Sequence, residues 1–431
     1  MVQKRTRQRP PRGRALAGRP LSLTIEDVGQ GGDGIARADG VRHFVPFALP
    51  GETVRALPVR RLADGVACRL VGIGGLSPER VAPFCPAFGH CGGCALQHWA
   101  AGPLAAWKTN RLRVALARRG FSDAPLAPLV VCPAASRRRA TLALAGGILG
   151  FRALAEHAVV GIDACPVLRP ELSALIVPLR EALAPLAKAA EVALAWTAAG
   201  ADVRIAAEIE PGWEILQSLA EAAQSLDLAR LTWVGAAGIA TPVAVRRIPR
   251  MTFGGVAVDL PPGAFLQASD EGEAALTLAV LKAAAGAERV ADLFCGLGTF
   301  ALPLAGGAKR VLAADADGAA IAALAAAARR GAPNLEALPR DLFRDPLTAA
   351  ELAEFDAVVF DPPRAGAAAQ AGQIAAAGVP KVVAVSCNPA TLARDLRILC
   401  DAGYALTSLA PVDQFPFSAH LEAVAVLSRG T

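Results

Sequence analysis

A cysteine at the end of an apolar run is the residue of this chain most ready for chemistry. Val382-Val383-Ala384-Val385-Ser386-Cys387-Asn388-Pro389 reads as a strand that stops at a thiol. The thiolate is the nucleophilic form, and a helix beginning just beyond it would present N–H groups that lower the thiol pKa. Ser on one side and Asn-Pro on the other mark a strand end rather than the middle of a core element, so the reading is a reactive thiol on the ligand-facing edge of a sheet.

A second group reads as a nucleotide-type pocket. In Val290-Ala291-Asp292-Leu293-Phe294-Cys295-Gly296-Leu297-Gly298-Thr299-Phe300 a strand runs into a glycine turn, where the backbone can bend tightly and approach a ligand closely. Gly296 to Ala301 fits a loose dinucleotide fingerprint. Asp315, at the end of the next strand, is placed to accept ribose hydroxyls. Both NAD and S-adenosylmethionine are open at this point. Asp341 follows a third strand, Leu335–Leu338, and suits either an adenine amino group or a helix N-cap. Asp361-Pro362-Pro363-Arg364 ends a fourth. Its two prolines fix a rigid loop lacking two N–H donors. A dehydrogenase has no use for such a loop; an enzyme that presents a base edge beside a methyl group does.

The third group is Cys85-Pro-Ala-Phe-Gly-His-Cys91-Gly-Gly-Cys94, joined by Cys165 further along. Four thiolates suit zinc or a [4Fe–4S] cluster, and spacing alone does not choose. His90 and His98 lie nearby and are not counted as ligands.

These groups need elements to hold them. From about 256, apolar strands at 289–294, 310–314, 356–360 and 381–386 alternate with Ala-rich helices such as 318–329 and 390–400, the pattern of a doubly wound α/β sheet. Residues 21–75 hold five short strands, Leu21–Ile25, Gly34–Arg37, His43–Val45, Thr53–Arg60 and Gly65–Leu70, broken by Gly and Pro, which suits an OB-like barrel. A helix is expected over 103–119. Between 125 and 255 the pattern is α+β, with helices near 170–190 and 214–229. The expected division is a basic tail 1–20, a barrel 21–75, a loop and middle domain 76–255, and a nucleotide-type domain 256–431.

The 431 residues carry a net charge of +6, of which Lys4, Arg5, Arg7, Arg9, Arg12, Arg14 and Arg19 form an acid-free tail. Such a tail attracts phosphates, or serves as a solubilising arm or a presequence. Arg137, Arg138 and Arg139, and Arg246, Arg247 and Arg250, are two further clusters that suit nucleic acid or a solvated face. Hydrophobic residues make up 54% of the chain, which excludes disorder. No apolar run is long enough to span a membrane and no secretory h-region follows the basic start. The nine cysteines are therefore expected as thiols in the cytosol.

Four motifs in order, Asp-Leu-Phe-Cys-Gly-Leu-Gly-Thr-Phe, Asp-Pro-Pro-Arg-Ala-Gly, Ser-Cys-Asn-Pro-Ala-Thr-Leu-Ala-Arg-Asp-Leu and Phe-Pro-Phe-Ser-Ala-His-Leu-Glu, resemble the RNA uridine-5-methyltransferase family. The resemblance is strong over 256–431 and looser before. It implies a Rossmann-like class I methyltransferase domain using S-adenosylmethionine, Cys387 as nucleophile on uracil C6, and Glu422 as base for the C5 proton. Gln267, Phe294, Thr299, Asp315, Asp341 and Asp361 match cofactor contacts. The sequence departs from the family at two of these: Asp315 stands where Glu is usual and Thr299 where Asn is commoner. Cys295 is read as packing and His420 as structural or a hydrogen-bond partner rather than catalytic. Cys85, Cys91, Cys94 and Cys165 resemble the iron–sulfur branch, which favours [4Fe–4S] over zinc. Residues 21–75 resemble that branch's TRAM domain. The implied partner is RNA, ribosomal RNA in first place and transfer RNA in second, with no membrane and no protein partner. Two other readings are a non-catalytic RNA-binding or assembly factor on the same scaffold, and an NAD enzyme.

Overall fold

The computed structural model describes residues 18–154, 158–186 and 188–430. Six of the seven basic residues of the tail, all but Arg19, lie outside them. The described residues divide into two compact units: one takes 18–89, Cys94–Leu104 and Phe417–Ala419, the other the described residues of 90–93, 105–416 and 420–430.

In the first unit, strands between Leu21 and Gly75 form one six-stranded sheet. Leu21–Thr24 pairs with Thr53–Leu62, while Asp27–Val28, three residues on, pairs with Gly34–Ala38. One bent stretch thus binds both edges, which is how a small sheet closes on itself and leaves no open edge. Leu23, Ile25, Ala36, Val45, Val54 and Ala56 fill its core. The five expected strands are all present. The sixth, Asp27–Val28, is too short to give a periodic signal.

The second unit holds two larger sheets. One has seven strands, Val159–Gly161, Ile148–Arg152, Arg139–Ala145, Ala190–Thr197, Gly200–Ala207, Arg230–Val234 and Ala240–Val245 in spatial order. The pair Gly200–Ala207 and Arg230–Val234 is parallel, and the helix Trp213–Ser225 makes its crossover. The helix expected at 170–190 is instead two short ones, Pro170–Ser173 and Ile176–Ala182, and Ala190 already begins a strand. The Ala-rich composition hides this break, because Ala favours helix whatever its neighbours do.

The other sheet orders its strands Leu335–Pro339, Arg310–Asp315, Arg289–Leu293, Ala357–Phe360, Lys381–Ser386, Glu422–Arg429, Tyr404–Asp413 and Val130–Val131. The first five are parallel and Glu422–Arg429 runs antiparallel between its neighbours. Both faces are covered. Val290, Val311, Ala313, Val359, Val383 and Val385 point into one core, and Ala291, Leu293, Leu312, Ala314, Val358, Val382 and Ala384 into the other. Side chains alternate across a strand, so a strand buried on both faces reads as a continuous apolar run. That is why these strands were the clearest in the sequence. Strand order reverses between Arg289–Leu293 and Ala357–Phe360, and ligands of open α/β sheets sit beyond the carboxyl ends at such a point.

Candidate active site

The glycine turn lies at that reversal point. Leu293 ends its strand and Phe294 follows with φ +62°, then Gly296 at +54° and Gly298 at +84°. A positive φ on a bulky aromatic residue is costly and clusters at functional sites. Here the bend is held by Phe294 N–H donating to the Ala314 carbonyl at 2.8 Å. A side chain at Gly298 would meet Leu324 at 2.5 Å, whereas Gly296 faces open space. Gly298 is therefore needed for packing, and Gly296 leaves backbone open to a ligand.

Asp315 supports the turn. Its carboxylate accepts from Gly296 N–H at 2.9 Å and Asp317 N–H at 2.8 Å. Each oxygen keeps acceptor capacity for a hydroxyl. Phe294 packs against Phe343, ring centroids 5.4 Å apart, and Phe343 is 42% exposed. Asp341 accepts from Phe343 N–H at 3.1 Å and caps a turn, not an α-helix. Thr299 is half-buried in the glycine turn. Cys295 is 6% exposed within the core, in keeping with a packing role. Asp292 is wholly buried under the turn, and burial, then the nearby Asp361, push its carboxyl well above the carboxylate range.

Cys387, Asp361 and Glu422 come together at the strand ends. Ser386 pairs with Ala423, so Cys387 and Glu422 each lie one residue outside that pair. Phe360, just before Asp361, pairs with Ala384 on the other side. Asn388 locks the two loops: its side-chain oxygen caps the next helix at Ala390 N–H, 3.1 Å, while its amide donates to the Arg364 carbonyl at 2.9 Å. Burial, then Glu422 and Asp361, push the Cys387 thiol up to about 11, against the pull of Arg364. These act against the lowering expected from the N–H groups of the helix start, with desolvation the largest. Burial, then Asp361, hold the Glu422 carboxyl up at about 8, and burial holds Asp361 at about 7.

Gln267 is 5% exposed, and its amide donates to Asp361 at 3.4 Å while its oxygen accepts from Gln414 at 2.8 Å. The Arg364 guanidinium donates to the His420 ring, closest approach 2.6 Å. Burial, with Arg364, Arg111, Lys108 and Arg137, holds His420 down at about 4, so the ring stays neutral and accepts. Its expected role as a hydrogen-bond partner holds.

The first arginine cluster needs correction at Arg138, while the second keeps an exposed face. Arg138 is 1% exposed and pairs with Asp270 and Glu273. It is a core ion-pair residue, neither a solvated face nor a nucleic-acid contact. Arg246 and Arg247 are tied to Asp227, and Arg250 to Asp259. Arg139 stands 4.3 Å from the centroid of Phe265, which is 62% exposed. Burial, then Arg137 and Arg138, lower its guanidinium to about 10, opposed by the Glu422 charge.

Among the described residues no group of three or more His, Cys, Asp or Glu side chains is arranged to hold a metal ion. Cys85, Cys91, Cys94 and Cys165 are all half-buried. Local backbone bonds govern them: Cys85 N–H goes to Gln97 at 3.2 Å, Cys91 bridges to Ala153, and Cys165 N–H goes to Ser173 at 2.9 Å.

Three residues were given no role by the sequence, although Asp292 heads the first motif. Gln414 stands outside every motif weighed, Phe343 looks like an ordinary turn aromatic, and the role of Asp292 is hidden inside a strand.

A parallel sheet with one reversed strand, a glycine turn at its switch point and a carboxylate on the next strand defines a Rossmann-like methyltransferase. The crystal structure of Pyrococcus abyssi tRNA (uracil-54, C5)-methyltransferase in complex with S-adenosyl-L-homocysteine shares this fold, with a TM-score of 0.75, 24% identity, and coverage of 94% of this chain and 99% of that one. A family model described as tRNA (Uracil-5-)-methyltransferase matches residues 263–430. An uncharacterized RNA methyltransferase of Caulobacter vibrioides is 44% identical over 94% of this chain and 99% of its own. The 23S rRNA (uracil(1939)-C(5))-methyltransferase RlmD of Alkalilimnicola ehrlichii is 35% identical over 97% of this chain and 98% of its own. The chain belongs to the RNA uracil-5-methyltransferase family. No helix among the described residues is long and apolar enough to cross a membrane.

Proposed function

We propose that this enzyme methylates C5 of a uridine in RNA with S-adenosylmethionine, through a covalent adduct between Cys387 and C6. The observation that carries the reading is the placement of Cys387 and Glu422 one residue beyond a shared strand pair, with Asp361 on the other side. C5 of uracil is a weak nucleophile. Addition of the Cys387 thiolate to C6 makes C5 part of an enolate, and covalent catalysis divides one hard step into easier ones. The C5 electron pair takes the methyl group, and the sulfonium–methyl bond breaks to leave S-adenosylhomocysteine. Glu422 then removes the C5 proton, and the pair left behind expels the thiolate.

In this reading Asp315 holds the ribose and Gln267 and Asp361 the methionyl part. Phe294, Thr299 and Asp341 line the rest, with Phe343 extending the apolar floor. The barrel of 21–75, read as a TRAM domain, grips the RNA together with the basic tail while the target base is flipped out, at about a few kcal/mol.

The RNA is proposed to be 23S ribosomal RNA, because the RlmD relative matches over nearly both full lengths. Mass mapping of RNA from cells lacking this protein is expected to show one uridine of 23S RNA without its C5 methyl group. Loss confined to transfer RNA would move the assignment there; no missing methyl group would defeat the reading.

A [4Fe–4S] cluster on Cys85, Cys91, Cys94 and Cys165 rests on their spacing and the resemblance alone, and no catalytic step runs through it. Anaerobically purified protein is expected to contain about four iron and four sulfide per chain, the stoichiometry of such a cluster. Colourless protein with stoichiometric zinc, or with no metal, would overturn that assignment.

A further inference from the structure

We propose that Gln414 is a positioning residue of the methyl-transfer site, a buried amide with a fixed direction that donates to Glu422 and, through Gln267, to Asp361. The inference rests on the reading of Glu422 as the base.

Gln414 is 3% exposed. Val412 pairs directly with Glu422, and Gln414 follows two residues on, just past the end of that strand. The two ends of an amide have similar shape and opposite hydrogen-bonding character, so direction has to come from the partners. Here a backbone group sets it. Ala268 N–H can only donate, and it meets Gln414 Oε1 at 2.9 Å. The NH2 end therefore faces Gln267, whose oxygen accepts at 2.8 Å. With its oxygen used, Gln267 turns its own NH2 to Asp361 at 3.4 Å. The Glu422 carboxylate also accepts from Gln414. Two carboxylates thus each end a run of donors that starts at one main-chain N–H.

The site is also built tightly around Gln414. A methyl group on Gly272 would come within 2.8 Å of the Gln414 Cβ and 2.9 Å of its Oε1. Gly272 itself is pinned by donating to the helix cap Ser269 at 3.0 Å. Gly272 thus leaves the room that the Gln414 side chain occupies.

Donors aimed at a carboxylate favour its ionised form. Glu422 meets a Cys387 thiol and the Asp361 carboxyl, which oppose ionisation, and Arg139 and Arg364, which favour it. Gln414 is the neutral group that tilts this balance toward a base able to accept a proton.

The test is the pH profile of adduct breakdown, read as release of methylated RNA from the covalent species in a single turnover at saturating S-adenosylmethionine. Gln414→Met keeps the volume and removes the donors. Its acid limb is expected to move up by about one to two pH units, the worth of a hydrogen bond to a charged group, with the high-pH plateau retained. A purely structural role would lower the plateau and leave the midpoint in place. Gln414→Glu keeps the oxygen for Ala268 N–H and adds a third carboxyl group, so its midpoint is also expected above wild type, even if the Met variant fails to fold. An unmoved midpoint in the folded variants overturns the inference. Wild-type turnover by Glu422→Gln would instead overturn the base assignment on which it rests.

Discussion

Cys387→Ala is expected to reduce transfer of a labelled methyl group from S-adenosylmethionine to RNA by about 10⁴-fold or more, as deletion of a covalent nucleophile does. The size of the effect follows from the substrate. Without a sulfur on C6, the C5 carbon has no enolate pair to offer the methyl group, and no other described side chain at the strand ends can supply one. Cys295 is no substitute, since it is sealed in the core and burial, then Asp292, push its thiol well above the ordinary range. The resting Cys387 thiol is itself only weakly ionised. With a thiol at about 11, roughly one molecule in a thousand carries the thiolate at pH 8. Bound sulfonium and the RNA-bound base have to shift that balance, the first by placing a positive charge beside Asp361 and Glu422. The variant is expected to bind S-adenosylhomocysteine as the wild type does, because Cys387 holds no part of the glycine turn. Methyl transfer by the variant at wild-type rate would rule out the covalent route.

What the sequence revealed and what it hid follow from how each feature is encoded. The sheet strands were legible because burial on both faces writes an uninterrupted apolar run, as in Lys381–Ser386. The glycine turn was legible because Gly298 has no alternative against Leu324. The paired helices Pro170–Ser173 and Ile176–Ala182 were not, since Ala and Leu occupy break and helix alike. Charge was the least legible property. Arg138 and Arg139 are neighbours of the same type, yet one is a core ion-pair residue and the other stacks on an exposed ring near the base. Their difference is set by Asp270, Glu273 and Phe265, more than 120 positions away, and no local pattern contains it. The forces that raise the Cys387 thiol were hidden for the same reason, because the burial around it and the carboxyl groups beside it come from distant parts of the chain.

The complementary substitution, Glu422→Gln, is expected to let the adduct form and then stop. Cys387 still attacks C6 and C5 still accepts the methyl group, but the C5 proton has no acceptor and the thiolate cannot be expelled. A protein–RNA species that survives denaturing electrophoresis, carries the labelled methyl group and accumulates to one per enzyme is the expected readout. Turnover should fall by about 10²- to 10⁴-fold, the usual contribution of a positioned base. The same residue sets the pH dependence. A base must be ionised to act, and burial with Asp361 holds Glu422 protonated up to about pH 8. In the wild type, adduct breakdown is therefore expected to rise about tenfold per pH unit below that point and to level off above it. The direction is opposite to that of an acid catalyst, whose rate would fall over the same interval. In Glu422→Gln the adduct should persist at every pH, because an amide gains no proton affinity from alkali. Breakdown that recovers at high pH in the variant would show that hydroxide or another group takes the proton, and wild-type turnover without any adduct would remove Glu422 from the mechanism.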